Sequence, residues 1–105
     1  MNWYSQKTKN LFTAILALKN EKEAKKFLRD LLTESEITEF SNRWQAAQML
    51  SDNIPYTKIV KETGLSSTTV ARISKWLNKG MSGYKLMINR LNNHPNKPSR
   101  GKGLR

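Results

Sequence analysis

Between Ser66 and Lys79 the chain sets four consecutive hydroxyls, Ser66, Ser67, Thr68 and Thr69, ahead of three cations, Arg72, Lys75 and Lys79. With no base or orienting group beside them, side chains of these types hold and read surfaces. An arginine fork matches the paired acceptors of guanine, a hydroxyl serves a phosphate or a base edge, and a lysine neutralises backbone phosphate. Just upstream, Tyr56, Thr57 and Lys58 supply three more groups suited to phosphate oxygens. At 100° per residue, Thr68, Arg72, Lys75 and Lys79 fall on one side of a helix and Val70, Ile73 and Leu77 on the other. Free N–H groups and a positive dipole end would add to the hydroxyls at that helix's start. The pattern points to a surface that grips and reads duplex nucleic acid. A plain helical hairpin with a solvated basic face would have the same spacing.

No other group in the chain offers a rival chemistry. His94 lies beside Pro95 with no nucleophile or base pattern around it, so no enzyme is expected. Glu34, Glu36 and Glu39 cluster where a helix begins, and capping and dipole complementarity account for them without a metal. With no cysteine, a disulfide framework and a thiolate site are both impossible, and no cofactor is implied. The net charge of +11, from 19 Lys and Arg against 8 Asp and Glu, calls for a polyanionic partner. That charge is unevenly spread. Residues 56–80 carry Lys58, Lys61, Arg72, Lys75 and Lys79 against Glu62, and residues 94–105 carry four cations and no acid. The apolar run Leu11–Leu18 passes straight into Lys19-Asn20-Glu21-Lys22 without a cleavage site, and no run reaches membrane-spanning length, so a cytoplasmic protein is expected.

The elements that must position this face read as helices throughout. Trp3, Leu11, Phe12, Ile15 and Leu16 recur at helical spacing over residues 3–19, and Asn20 caps a second helix carrying Ala24, Phe27, Leu28, Leu31 and Leu32. Thr33-Glu34-Ser35-Glu36 is a capping box that opens a third, with Ile37, Phe40, Trp44, Ala47 and Leu50 as its buried face to about Asp52. Asn53-Ile54-Pro55 ends it. Helices at 56–63 and 67–79 follow, hinged at Gly64, with Ile59, Val60, Thr63 and Leu65 as the first helix's apolar stripe and plug. That is the outline of a helix-turn-helix. Lys79-Gly80 closes the second of the pair. Tyr84, Met87, Ile88 and Leu91 mark a sixth helix over 82–92, and residues 94–105 read as a basic, disordered tail behind one helical domain, 1–93. At 37% hydrophobic residues such a domain is short of core, which favours a partner subunit.

From about Leu31 to Asn78 the sequence resembles the Trp-repressor superfamily, and within it the TrpR-related YerC/YecD proteins. The resemblance is carried by Leu32-Thr33-x-x-Glu36, by Arg43 and by Gly64-Leu65-Ser66-Ser67-Thr68-Thr69-Val70-Ala71-Arg72, with Leu77-Asn78-x-Gly80 and Gly83-Tyr84 marking the second branch. What it implies is an all-α, six-helix fold built as an intertwined homodimer, each subunit projecting one helix-turn-helix. It also implies an effector pocket at Thr33, Arg43 and Arg72, since two arginines sandwich the ligand's indole ring in tryptophan-responsive members. Here Ile73 and Trp76 replace small or polar residues. Ile73 would crowd the cavity, and Trp76, one turn beyond Arg72, could stack on its guanidinium in the ligand's place.

The expected function is therefore a homodimeric, double-stranded-DNA-binding transcriptional regulator that works without free tryptophan. Ser66, Ser67, Thr68, Thr69 and Arg72 would face base edges, ordered waters or phosphates, and Tyr56, Thr57, Lys58, Lys75 and Lys79 the backbone. A protein-interaction module and an RNA-binding helical protein are the alternatives that the same basic surface would serve.

Overall fold

The computed structural model describes residues 1–93, which form six α-helices and no strand; the expected tail, 94–105, lies outside them. The helices are α1 (Gln6–Ala17), α2 (Glu21–Leu31), α3 (Glu34–Ser51), α4 (Tyr56–Thr63), α5 (Ser67–Lys79) and α6 (Gly83–Asn92). The chain divides into two compact units, Met1–Ile37 and Thr38–Arg105.

In the first unit, local hydrogen bonds set the helix ends. α1 begins later than the expected residue 3 because the Ser5 hydroxyl accepts from the Thr8 N–H at 3.2 Å and donates to the Thr8 hydroxyl at 2.9 Å, fixing the cap at Ser5. Trp3 is left outside the helix, stacked on Phe12 with ring centroids 5.9 Å apart. Asn20 caps α2 as expected, its side-chain Oδ1 accepting from the Glu23 N–H at 2.9 Å while the Glu23 carboxylate accepts from the Lys19 N–H. The capping box is reciprocal: Thr33 Oγ1 accepts from the Glu36 N–H at 3.1 Å, and Glu36 Oε1 accepts from the Thr33 N–H at 2.9 Å. The apolar stripes are not a closed core, however. No residue of α1 or α2 is buried.

The second unit holds the core: Ala46, Ala47, Met49, Ile59, Leu65, Val70 and Ile73, with Trp44, Leu50, Ile54, Val60 and Tyr84 packed against it. Here the expected face of α3 requires correction. Ala46, Ala47 and Met49 are its buried residues, whereas Phe40 is 47% exposed. Of the expected face, Ala47 is fully buried and Trp44 and Leu50 pack against the core, so the seam is widened to Ala46 and Met49 and leaves out Phe40. α4 and α5 match their expected bounds. Thr63 is buried and satisfied, its hydroxyl donating to the Ile59 carbonyl at 2.8 Å and accepting from the Leu65 N–H at 3.2 Å. Gly64 follows at φ 75°, a left-handed backbone that turns the chain from α4 toward α5. Space is open where a Cβ would sit, so the requirement is conformational. Gly64→Ala is therefore expected to cost about 1–2 kcal/mol, measurable by urea unfolding. At Gly80 the reason differs: φ is −84°, and a Cβ would lie 2.5 Å from the Trp76 carbonyl oxygen. α6 packs on this unit through Ile88 and through Tyr84, whose ring stacks on Trp44 at 6.3 Å; Met87, expected inside, is 39% exposed.

Candidate nucleic-acid interface

α5 is half buried and half open, and the division falls where the helical spacing puts it. Val70 and Ile73 are fully buried and Leu77 nearly so, which fixes the inner face against the core. Ser67, Thr68, Arg72, Lys75 and Lys79 are all exposed. Among the described residues no carboxylate pairs with Arg72, Lys75 or Lys79, and α5 itself contains no acid. Three positive charges thus stand unneutralised along one helix face. Ser66 and Thr69 are in a different position. Ser66 Oγ accepts from the Thr69 N–H at 3.1 Å and donates to Thr69 Oγ1 at 3.0 Å, so this pair caps the helix, and Ser67 and Thr68 are the hydroxyls left to turn outward.

α4 brings a second set. Pro55 occupies its N-cap, and no side chain caps the first turn, so the end that bears Tyr56 and Thr57 presents free backbone donors. Tyr56 and Thr57 are exposed. Lys58 is exposed too, but its ammonium sits 2.7 Å from Glu62, one turn on. That pair holds back one phosphate-seeking charge. Glu62→Gln is expected to tighten binding to duplex DNA by a few-fold at low salt, in line with the roughly 0.2–1 kcal/mol of an exposed ion pair. Fluorescence anisotropy against a salt series would measure it; unchanged or weaker binding would remove Lys58 from the interface.

The residues expected around an effector are divided between the two units. Thr33 belongs to the first unit and is spent on the capping box. Arg43 is half-buried, its Nε donating to the Glu39 carboxylate at 3.0 Å and its guanidinium 6.0 Å from the centre of the Phe40 ring. Its charge also reaches Tyr84: burial raises the phenol's pKa, and Arg43 opposes that rise. Arg72 instead stands on the open face of α5. The stacking expected of Trp76 on Arg72 is not made, the one cation–π contact among the described residues being Arg43 over Phe40. Trp76 is 43% exposed, and Ile73 seals the core instead of crowding a cavity.

Sequence reasoning missed a groove of about 660 Å³ in the second unit. Leu50, Ile54 and Leu77 form its apolar lining; Ser74 and Asn78 of α5, Asn53 and Tyr56 at the approach to α4, and Lys85 and Asn89 of α6 supply polar groups. Lys85 and Asn89 are one turn apart on α6, which was visible in sequence. Which elements they would meet was not.

The family model for the Trp repressor protein matches residues 6–92. YerC of Bacillus subtilis (strain 168), an uncharacterised protein, is 38% identical over 81 residues, which is 77% of this chain and 78% of that one. A solved structure of a TrpR-like protein from Eubacterium eligens superposes with a TM-score of 0.83 at 37% identity, covering 87% of this chain and 94% of its own. Another, from Staphylococcus aureus, gives 0.82 at 33% identity, with 90% and 97% covered. With the helix order, the capping box before α3 and the glycine turn before α5 all in place, and the match running from α1 to α6, the chain belongs to the Trp repressor family.

Proposed function

We propose that this protein is a homodimeric transcriptional regulator, acting as a repressor, that reads double-stranded DNA in the major groove with α5. The observation that carries this reading is the outer face of α5: three unpaired cations and two outward hydroxyls on a helix whose other side is locked into the core. A Trp repressor family relationship supports DNA as the polyanion. Salt-dependent binding to a random duplex tests it, since each phosphate contact contributes about −0.9 to the slope of log K against log salt. A weak slope, or preference for single-stranded or structured RNA in competition, would favour the RNA-binding or protein-docking alternatives.

The homodimer is supported by apolar surface that a 12.1 kDa monomer would leave in water: Phe12, Ile15, Leu31 and Phe40 are each 40% exposed or more. Sedimentation is expected to return twice the chain mass.

Binding without free tryptophan rests on Arg43. A ligand carboxylate would have to displace Glu39 from its guanidinium, and an indole would have to displace Phe40. Titration calorimetry with L-tryptophan is expected to show no binding, and operator affinity is expected to be the same with and without it. Micromolar affinity would overturn this part of the proposal.

A further inference from the structure

We infer that the groove beside α4 is a second DNA-backbone contact, with Lys85 of α6 as its cation. This rests on the reading of α5 as the DNA-contacting helix. Among the groove's lining residues Lys85 is the only charged one and no carboxylate accompanies it, so the site favours an anion. Its polar groups are the right kind for phosphate oxygens: the Tyr56 phenol and the Asn53 and Asn89 amides can all donate. Asn78 is exposed, but its amide is engaged along its own helix, donating to the Ser74 carbonyl at 2.9 Å, so these two form wall rather than hook.

Position selects a nucleic-acid strand over a small molecule. The groove is partly open to solvent, and Tyr56 in its lining also heads the uncapped first turn of α4. A phosphate held at that turn lies where the next one along the strand can meet the groove. On α5 the wall residues Ser74 and Asn78 occupy the strip next to the face of Arg72, Lys75 and Lys79, by the helical spacing. One strand can follow from α5 past α4 to α6. None of Thr33, Arg43, Arg72 or Trp76 lines the groove, so this surface is separate from the effector positions.

The test is Lys85→Gln in the full-length chain, read by anisotropy on one random duplex across a salt series, beside Lys79→Ala and Lys85→Arg. Lys85 is exposed, so folding should be unaffected, and a thermal melt checks that. The expected result is several-fold weaker binding and a salt slope shallower by about one unit, with Lys85→Arg restoring both. If Lys79→Ala weakens binding and Lys85→Gln does not, the groove contact is overturned while the α5 reading stands. If only Lys85→Gln weakens it, the groove contact holds and Lys79 is removed from the α5 contacts. If neither does, both fall. A further arm uses thymidine 5′-monophosphate alone: shifts of the Lys85 and Asn89 amides together with an unchanged DNA salt slope in Lys85→Gln would mark a small-anion site and overturn the inference.

Discussion

Replacing Arg72 with alanine is expected to lower affinity for the preferred DNA sequence by about five- to 150-fold, the equivalent of the 1–3 kcal/mol carried by a paired arginine–guanine contact. Affinity for random duplex should fall much less. The reason lies in what surrounds the side chain. Arg72 has no carboxylate partner, it is exposed, and Ile73 beside it is fully buried, so the helix cannot rotate to hide or redirect the guanidinium. Lys79→Ala is the comparison: a lysine neutralising phosphate should weaken all sequences alike and reduce the salt slope by about one unit. If Arg72→Ala weakened all sequences alike, the arginine would be a backbone contact, and sequence reading would fall to Ser67 and Thr68.

Ile73→Ala is expected to have the largest effect on stability, about 2–5 kcal/mol as a large-to-small change at a fully buried site. For a domain of this size that is a large share of the roughly 5–15 kcal/mol holding most folds together. Ile73 contributes to the cluster that joins α3, α4 and α5, so its loss loosens the whole support of the outer face. DNA binding should fall with it even though no contacting group is removed. Ile73→Val, which trims one methylene, should cost about 0.5–1.5 kcal/mol and keep binding. Chemical denaturation at fixed protein concentration separates the two, because a dimer's apparent stability moves with concentration. An unchanged midpoint for Ile73→Ala would mean that the cluster is not what holds α5.

How much of this could be read from the sequence depends on the range of the interaction. The caps at Asn20 and Thr33 are contacts over three residues between groups whose types announce them, and both stand where expected. The bounds of α4 and α5 were equally legible, because Pro55, Gly64 and the serine run each act on the backbone next to them. The Ser5 cap has the same three-residue range and yet does not stand out in the sequence. A serine–threonine pair three apart caps as well as the more recognisable Thr33–Glu36 box, but an aromatic two residues earlier extended the apparent helix.

The face of α3 shows a deeper limit. Helical spacing finds an apolar stripe and is silent about what covers it, so Phe40 and Trp44 looked like one face of one core. Trp44 does pack, against Tyr84, whereas Phe40 stands half in water beside Arg43. The candidate DNA surface divides the same way. Exposure of Arg72, Lys75 and Lys79 followed from spacing, but the groove joins four elements and no periodicity within one helix could disclose it. Trp76 was placed over Arg72 because the two are one turn apart; the turn permits that contact without requiring it.

The most direct measurement is selection of bound fragments from random duplex DNA by the full-length protein, with and without L-tryptophan, repeated with Arg72→Ala. The expected result is a two-fold-symmetric site whose half-sites lie about one helical turn apart, recovered equally with and without tryptophan and degraded in Arg72→Ala. Recovery of no sequence preference, or of one that appears only with tryptophan or survives unchanged in Arg72→Ala, would contradict a homodimer that reads DNA through the outer face of α5.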